Sequence, residues 1–242
     1  MTDLSRTFGN QTVDERERER RIRRVFEAVA ARYDLMNDLM SMGIHRLWKR
    51  SLVRMAAPAS GQNIVDLAGG TGDVAALMAG PDRSVTVCDP SLPMMDVGRA
   101  RGHRHVQWLE GTGERIPLPA ASVDTVTIAF GIRNVTRIED ALAEVLRVLK
   151  PGGRFLCLEF STPYAPVRPF YNLFSFTVIP RLGAWIARAP EAYSYLVESI
   201  RRFPDQRDFQ ALIEQAGFAD VAYRNLSLGI ACIHVGTRPP AT

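Results

Sequence analysis

The chain has 242 residues, of which 46% are hydrophobic and 23% are charged, as expected of a globular protein large enough to bury a substantial core. Thirty Lys and Arg residues against 26 Asp and Glu residues leave a net charge of +4, which is too mild to indicate a dedicated nucleic-acid-binding protein. The N-terminus is polar, and the longest uncharged stretches are shorter than the roughly 20 residues of a membrane-spanning helix.

The three cysteines, Cys88, Cys157 and Cys232, lie in separate apolar runs, and none belongs to a CxxC pair. Cysteines of this kind are usually small buried hydrophobes of a protein in a reducing compartment. No histidine stands at the spacing of a zinc ligand, so we expect no metal site. We expect a cytoplasmic protein, at most peripheral to the inner face of the membrane.

The first predicted helix begins in a charged run, residues 14–24, with three acid-before-base pairs at four-residue spacing. Such pairs support an exposed helix. The apolar residues that follow at helical spacing make the later turns amphipathic. A charge run of this kind is usually a solvated face, and a contact with lipid headgroups or with a partner protein is the alternative.

Residues 33–50, YDLMNDLMSMGIHRLWKR, combine an apolar surface with a few polar side chains. Leu35, Leu39 and Met42 lie at the spacing of an ordinary core helix. The alternative is a cover over an apolar ligand, in which the flexible side chains of Met36 and Met40 form an adaptable wall. The segment precedes the alternating strands and helices described next, and we therefore prefer the cover.

Strand-like and helix-like segments alternate after residue 61. The predicted strands are 63–67, 84–88, 105–109, 123–129 and 154–160. The predicted helices between them lie near 73–79, 91–101 and 138–150. This alternation predicts a parallel sheet with helices on both faces.

The last two predicted strands, 219–226 and 230–237, are separated by a link that permits only an antiparallel hairpin. A parallel α/β sheet that ends in an antiparallel strand is associated with S-adenosylmethionine (SAM) methyltransferases, whereas nucleotide dehydrogenases normally continue with parallel strands. The predicted fold class is therefore α/β. We expect a Rossmann-like sheet of seven mainly parallel strands, with an antiparallel C-terminal strand.

A glycine-rich turn follows the first strand of this series, in the sequence IVDLAGGTGDVA. Gly69, Gly70 and Gly72 allow the backbone to turn tightly and to approach a ligand closely. Asp89 ends the next strand, where a carboxylate can accept hydrogen bonds from both hydroxyls of a ribose. The pattern predicts a nucleoside-containing cofactor.

The segment GTGDVA also fits the dinucleotide pattern of NAD enzymes, so NAD is an alternative to SAM as the cofactor. Asp66 ends the first strand, where methyltransferases place an acid near the amino group of SAM. Asp73 opens the following helix, and its negative charge would oppose a pyrophosphate at that helix end. The C-terminal hairpin closes the sheet, so we expect no second, substrate-binding domain after it. These features favour SAM, and an NAD dehydrogenase is the distant alternative.

Several stretches of the chain closely resemble the ubiquinone/menaquinone biosynthesis C-methyltransferases. They include VDLAGGTGD, TIAFGIRNV and LKPGGRFLCLEF, together with Tyr33–Lys49 and Glu198–Gln206. The resemblance implies a class I SAM-dependent methyltransferase that methylates a ring carbon of a polyprenyl quinol. The acceptor would be demethylmenaquinol, 2-methoxy-6-polyprenyl-1,4-benzoquinol or both.

The resemblance also implies SAM-binding positions at Thr71, Asp89, Thr112, Gly113 and Ala129. The pair Thr112-Gly113 and the residue Ala129 depart from the common pattern of the family, which more often has a polar-Ala pair after the third strand and Ser at the end of the fourth. Contacts with the adenine and methionine groups are therefore expected to differ in detail at these positions.

Methylation of a ring carbon requires the acceptor to be held in line with the methyl group, and a proton to leave the quinol hydroxyl. The candidate catalytic residues are Tyr33, Asp34, His45, Arg133 and Asn134. Arg133 stays protonated, so it is expected to stabilise a quinolate or to orient water, and Asn134 to bind a ring oxygen. Structural roles for Arg133 and His45 are the alternatives.

We expect residues 1–58 to form a helical cover region and residues 59–242 a SAM-binding domain with a lid insertion near 161–197. The aromatic stretch 170–186 would be the wall for the prenyl tail, with core packing as the alternative. Two other functions stay open: methylation of another hydrophobic phenol or amine, and a non-catalytic role in a quinone-synthesis complex. A homodimer is also open.

Overall fold

The computed structural model describes residues 6–9, 11–29, 37–38, 41–169, 171 and 190–240. Its helices are α1 (Glu15–Val29), α2 (Ile44–Ala56), α3 (Asp73–Met78), α4 (Leu92–Ala100), α5 (Ile138–Val148), α6 (Pro190–Arg202) and α7 (Gln206–Gln215). A small ribbon of β1 (Thr7–Phe8) and β2 (Gln11–Thr12) precedes α1. The main sheet is built from β3 (Asn63–Leu67), β4 (Ser84–Asp89), β5 (Val106–Glu110), β6 (Val123–Ala129), β7 (Leu149–Phe160), β8 (Ala219–Leu226) and β9 (Ala231–Thr237).

The strand order of the main sheet is β5-β4-β3-β6-β7-β9-β8. The first five strands of this order are parallel, and β9 runs antiparallel to both β7 and β8. The chain first moves outward from β3 to β5 and then returns to β6, so the order reverses beside β3. Ligands of such sheets bind at the carboxyl ends of the strands near this reversal. The predicted fold class is confirmed.

The start of β7 differs from its prediction. The Pro-Gly-Gly sequence at 151–153 was expected to separate a helix from a strand beginning at residue 154, but β7 already begins at Leu149. The pairing with β6 shifts register between Val123 and Thr125, where the extra residues of β7 form a bulge. Gly152, with a φ of +77°, supplies the left-handed conformation that the bulge needs.

Helices cover both faces of the sheet. On one face, α5 and α7 bury side chains such as Leu142 and Phe209 against the strands. On the other face, Trp48 and Leu52 of α2 belong to one hydrophobic cluster with Ile64 of β3. The α2 part of the predicted cover region thus packs directly on the sheet, and the division of the chain near residue 58 stays a prediction.

The structure also tests the expectations for the cysteines, for the 33–50 segment and for membrane-spanning helices. Cys88, Cys157 and Cys232 are buried in β4, β7 and β9, as predicted. Met42 is 72% exposed, so it does not belong to a core helix, whereas Leu35, Leu39 and the other methionines of the 33–50 segment lie outside the described residues. Among the helices that the structure describes, none is long and apolar enough to cross a membrane.

Gly72 provides a test of the turn between β3 and α3. Its φ is +79°, and a Cβ there would lie 2.7 Å from Trp108 Cη2. We expect Gly72→Ala to lower the free energy of unfolding by about 1–2 kcal/mol for the backbone, and by about 1–3 kcal/mol more for the overlap. Gly61→Ala is the matched control, because Gly61 has a φ of +77° with nothing within 4 Å. Equal losses in urea unfolding would contradict the overlap.

Candidate active site

A cavity of about 430 Å³ opens at the carboxyl ends of β3, β4 and β6. Its walls come from the turns that follow these strands, from the segment after β5, from α1 and from Lys49 of α2. Of the predicted SAM-binding residues, those that line it are Asp66, Gly69, Gly70, Thr71, Asp89, Thr112, Gly113 and Ala129. Gly72 is not among the lining residues and acts by shaping the turn.

The glycine turn leaves room for a ligand because it carries almost no side chains. A Cβ at Gly69 would lie 2.8 Å from Asp66 Oδ2 and 2.9 Å from the Asp66 carbonyl oxygen, so only glycine fits there. Gly70 has a φ of +54°, and its N–H donates to Asp89 Oδ2 at 2.9 Å. Ser91 N donates to Asp89 Oδ1 at 2.7 Å. Asp89 therefore holds the turn in place, and each of its oxygens retains acceptor capacity for a ligand.

Asp66 lies at the bottom of the cavity, 1% exposed. Its Oδ1 accepts a hydrogen bond from Thr127 Oγ1 at 2.8 Å, and its Oδ2 accepts one from Ala75 N at 3.2 Å. Burial raises the pKa of Asp66 to about 7, against the opposing effects of Thr127 and Lys49. The carboxyl therefore changes charge near neutral pH, and a nearby cation of a ligand would favour its charged form.

The segment after β5 forms the far wall of the cavity. Glu114 Oε1 accepts hydrogen bonds from Thr136 N at 2.8 Å and from Arg137 N at 3.2 Å, which ties this segment to the segment after β6. A Cβ at Gly113 would lie 3.0 Å from Val135 Cγ2. An alanine at this position, as in the common pattern, would require Val135 to shift by a few tenths of an ångström.

Arg133 and Asn134 follow β6 but have different surroundings. The Arg133 side chain is 4% exposed and does not line the cavity; its Nη1 donates to Glu159 Oε1 at 2.8 Å and to the Phe130 carbonyl oxygen at 2.6 Å. Asn134 does line the cavity, and its Oδ1 accepts a hydrogen bond from Tyr195 OH at 3.0 Å. The Arg133 charge is thus held directly beneath the Phe130 turn, while Asn134 faces the ligand space.

His45 is buried in α2 and does not line the cavity. Its Nδ1 lies 2.7 Å from Ser41 Oγ and 3.8 Å from Asp38 Oδ1. Burial, assisted by Lys49, lowers the pKa of His45 to about 4, so the ring is neutral at neutral pH. Tyr33 and Asp34, together with most of the proposed lid, lie outside the described residues.

The helix α1 lies in the predicted cover region, but none of its residues was named as a site candidate from the sequence. Ile22 and Phe26 line the cavity, and Arg18, in the charged run expected to be exposed, is only 2% exposed. The Arg18 guanidinium donates to the carbonyl oxygens of Arg133 and Asn134, both at 3.1 Å. The helical spacing of apolar residues in the later turns of α1 was the one sequence signal that this helix packs against the site. Nothing in the local sequence indicates where Arg18 binds.

The chemistry of the cavity fits SAM. Two buried carboxyls, Asp66 and Asp89, lie at the carboxyl ends of neighbouring strands, where an ammonium group and a ribose would need acceptors. Together with the strand order and the antiparallel β9, these features define a class I SAM-dependent methyltransferase.

The chain belongs to the ubiE/COQ5 methyltransferase family, whose model matches residues 14–238. It is 75% identical to the ubiquinone/menaquinone biosynthesis C-methyltransferase UbiE of Rubrivivax gelatinosus, over 99% of this chain and 96% of that protein. It is 47% identical to the protein of the same name from Caulobacter vibrioides, over 98% of this chain and 99% of that one. The crystal structure of a SAM-dependent methyltransferase from Thermotoga maritima shares the fold, with a TM-score of 0.65 and 21% identity over 90% of this chain and 99% of that chain.

Proposed function

We propose that this protein transfers a methyl group from SAM to a ring carbon of a polyprenyl quinol in ubiquinone and menaquinone biosynthesis. The observation that carries the proposal is the 75% identity, over almost the full chain, to a ubiquinone/menaquinone biosynthesis C-methyltransferase. The cavity supports it, because its acids, glycines and apolar α1 residues suit SAM and an apolar neighbour.

We assign the cofactor-holding residues as follows. Asp89 accepts hydrogen bonds from the ribose hydroxyls, and Asp66 accepts one from the amino group of the methionine moiety. Thr112 and Gly113 lie along the wall proposed for the adenine ring, and Ala129, which ends β6, also lines the cavity. When bound, SAM supplies an activated methyl group, so on the donor side the residues of this chain need only orient it and exclude water.

A pH dependence follows from the role of Asp66. Binding of an ammonium group favours the charged carboxyl, so SAM binding should lower the pKa of Asp66 and release a proton. Because this pKa is about 7 without ligand, the affinity for SAM should fall as the pH drops below 7, by up to about tenfold per unit. Titration calorimetry at pH values from about 5.5 to 7, in buffers of different ionisation enthalpy, measures both effects. Absence of proton release and a pH-independent Kd would contradict this role.

On the acceptor side, we propose that Arg133 and Asn134 stabilise the negative charge that develops on the quinol oxygen. Asn134 reaches the cavity, whereas Arg133 acts through its field, because its guanidinium hydrogen-bonds Phe130 O in the cavity wall. Loss of the hydroxyl proton directs electron density to the ring carbon that accepts the methyl group. Tyr33 and Asp34 stay candidates for the group that receives this proton. His45 is a weaker candidate, because it lies outside the cavity lining and burial lowers its pKa to about 4.

A peripheral contact with the membrane surface, a homodimer and a quinone-synthesis complex also stay predictions. The exposed Leu47 and Leu228 support the first, since Trp48 Nε1 donates to Ser227 Oγ at 2.9 Å and so brings the two segments together. The exposed Arg50 and Arg54 of α2 would add attraction to anionic lipid. Flotation with anionic and neutral vesicles tests the contact, and recovery with neither vesicle would contradict it.

An assay of methyl transfer with purified protein, SAM and a set of acceptors identifies the acceptor. We expect turnover of demethylmenaquinol, of 2-methoxy-6-polyprenyl-1,4-benzoquinol or of both, and no turnover of the same compounds in their oxidised quinone form, because only the quinol has a hydroxyl proton to lose. Turnover confined to other phenols or amines would establish the alternative methyltransferase. SAM binding without turnover of any acceptor would favour the scaffold role.

A further inference from the structure

Lys49 brings a buried positive charge from α2 to the wall of the cavity. Its side chain is 10% exposed, and its Nζ lies 3.2 Å from Asp73 Oδ2. Lysine is rarely buried to this extent without compensation of its charge. Within the described part of the chain, Asp73 accepts its one side-chain hydrogen bond, whereas an ammonium group has three donors. A ligand in the cavity therefore meets a cation with donors to spare.

Asp73 pairs with two cations, Lys49 through Oδ2 and Arg101 through Oδ1. Asp73 Oδ1 accepts a hydrogen bond from Arg101 Nη1 at 3.0 Å and lies 3.4 Å from Thr71 Oγ1. An anionic group of the ligand beside Lys49 would accept from its remaining donors and would be favoured there.

Asp66 and Lys49 both line the cavity, and both contact the beginning of α3: Ala75 N donates to Asp66 Oδ2 at 3.2 Å, and Lys49 Nζ donates to Asp73 Oδ2. One end of the cavity therefore offers a carboxyl group and an ammonium group close together. An α-amino acid carries the complementary pair, an ammonium group and a carboxylate. The carboxyls of Asp89 and Glu114, elsewhere in the cavity wall, are unsuited to a carboxylate and suit hydroxyl and N–H donors.

We propose that Lys49 binds the α-carboxylate of the methionine moiety of the cofactor. The inference rests on the proposed function, since it takes SAM as the ligand. It adds a residue of α2, which belongs to the predicted cover region, to the cofactor site. A helix of the region expected to cover the acceptor thereby contacts the methyl donor as well.

The test compares the affinity of apo protein for SAM with that for decarboxylated SAM, which has the same adenosine, sulfonium and amino groups but no carboxylate. By calorimetry, we expect wild-type protein to bind SAM about 10–100 times more tightly, the range for hydrogen bonds to charged groups. Lys49→Met should reduce this ratio to near one, by weakening SAM binding and leaving the analogue unchanged. Lys49→Arg, which keeps the charge, should retain part of the ratio.

Arg101→Met is the matched control, because it removes the other cation of Asp73 without removing a residue that lines the cavity. It should preserve most of the ratio. A ratio in Lys49→Met equal to that of wild type would overturn the assignment, and so would a wild-type ratio near one, which needs no variant to fold. Wild-type protein that binds neither compound would instead contradict the proposed function itself, so the two failures are distinguishable.

Discussion

Asp89→Asn should raise the Kd for SAM by about 10–100-fold, since hydrogen bonds to a charged group contribute roughly 1.5–3 kcal/mol each. In the native site, both carboxylate oxygens accept backbone N–H groups, from Gly70 and Ser91, and each retains capacity for a ribose hydroxyl. Asparagine has a single oxygen, so its amide N–H₂ would face one of these donors. The ribose would lose an acceptor, and the glycine turn would lose one of its anchors.

Titration calorimetry measures this loss, and a thermal melt shows whether the fold survives. Asp96→Asn is the matched control, because Asp96 pairs with Arg99 on the exposed surface of α4 and does not line the cavity. We expect its Kd to equal that of wild type. An Asp89→Asn protein that is folded and binds SAM within about twofold of wild type would show that this carboxylate does not hold the ribose.

Glu159→Ala should lower the free energy of unfolding by about 3–5 kcal/mol, the loss expected when one partner of a buried ion pair is removed. Glu159 and Arg133 have side chains that are 1% and 4% exposed, and their closest atoms lie 2.8 Å apart. Without the carboxylate, the guanidinium charge would stay buried beneath the Phe130 turn. Urea unfolding measures the loss.

Two further variants separate the charge from the packing. In the double variant Arg133→Met, Glu159→Leu, no buried charge of this pair is left, so we expect most of the lost stability to return. Asp96→Ala, which breaks an exposed pair with Arg99, should cost less than about 1 kcal/mol. A Glu159→Ala protein that is as stable as Asp96→Ala would contradict the importance of the buried pair.

Much of the fold could be predicted because local pattern and tertiary structure agree. β3 and β6 begin and end where they were expected, since each is a short run of mostly buried residues that includes β-branched side chains. The first residue of β7 could not be predicted in this way. Its bulge at Gly152 and Gly153 exchanges hydrogen bonds with Arg238, at the far end of the chain, and no local stop signal reports such a contact.

The residues of the candidate site also differ in whether local sequence could predict them. The glycine turn, Asp66 and Asp89 could be found from sequence because a strand and the turn after it place them. Arg18 and Lys49 could not, since their partners come from other elements; Arg18 reaches a carbonyl oxygen 116 residues away. From local sequence, a charged residue on a helix is expected to be a solvated side chain. Only the packed fold shows where its charge is compensated.

The central claim is methylation of a ring carbon of a polyprenyl quinol. The most direct measurement incubates the protein with SAM carrying a deuterated methyl group and a reduced demethylated quinol, and locates the label by mass spectrometry and NMR. We predict one labelled methyl group per product, bonded to a ring carbon, with none formed from the oxidised quinone. A label on a ring oxygen, or no labelled quinol while SAM binds normally, would contradict the claim.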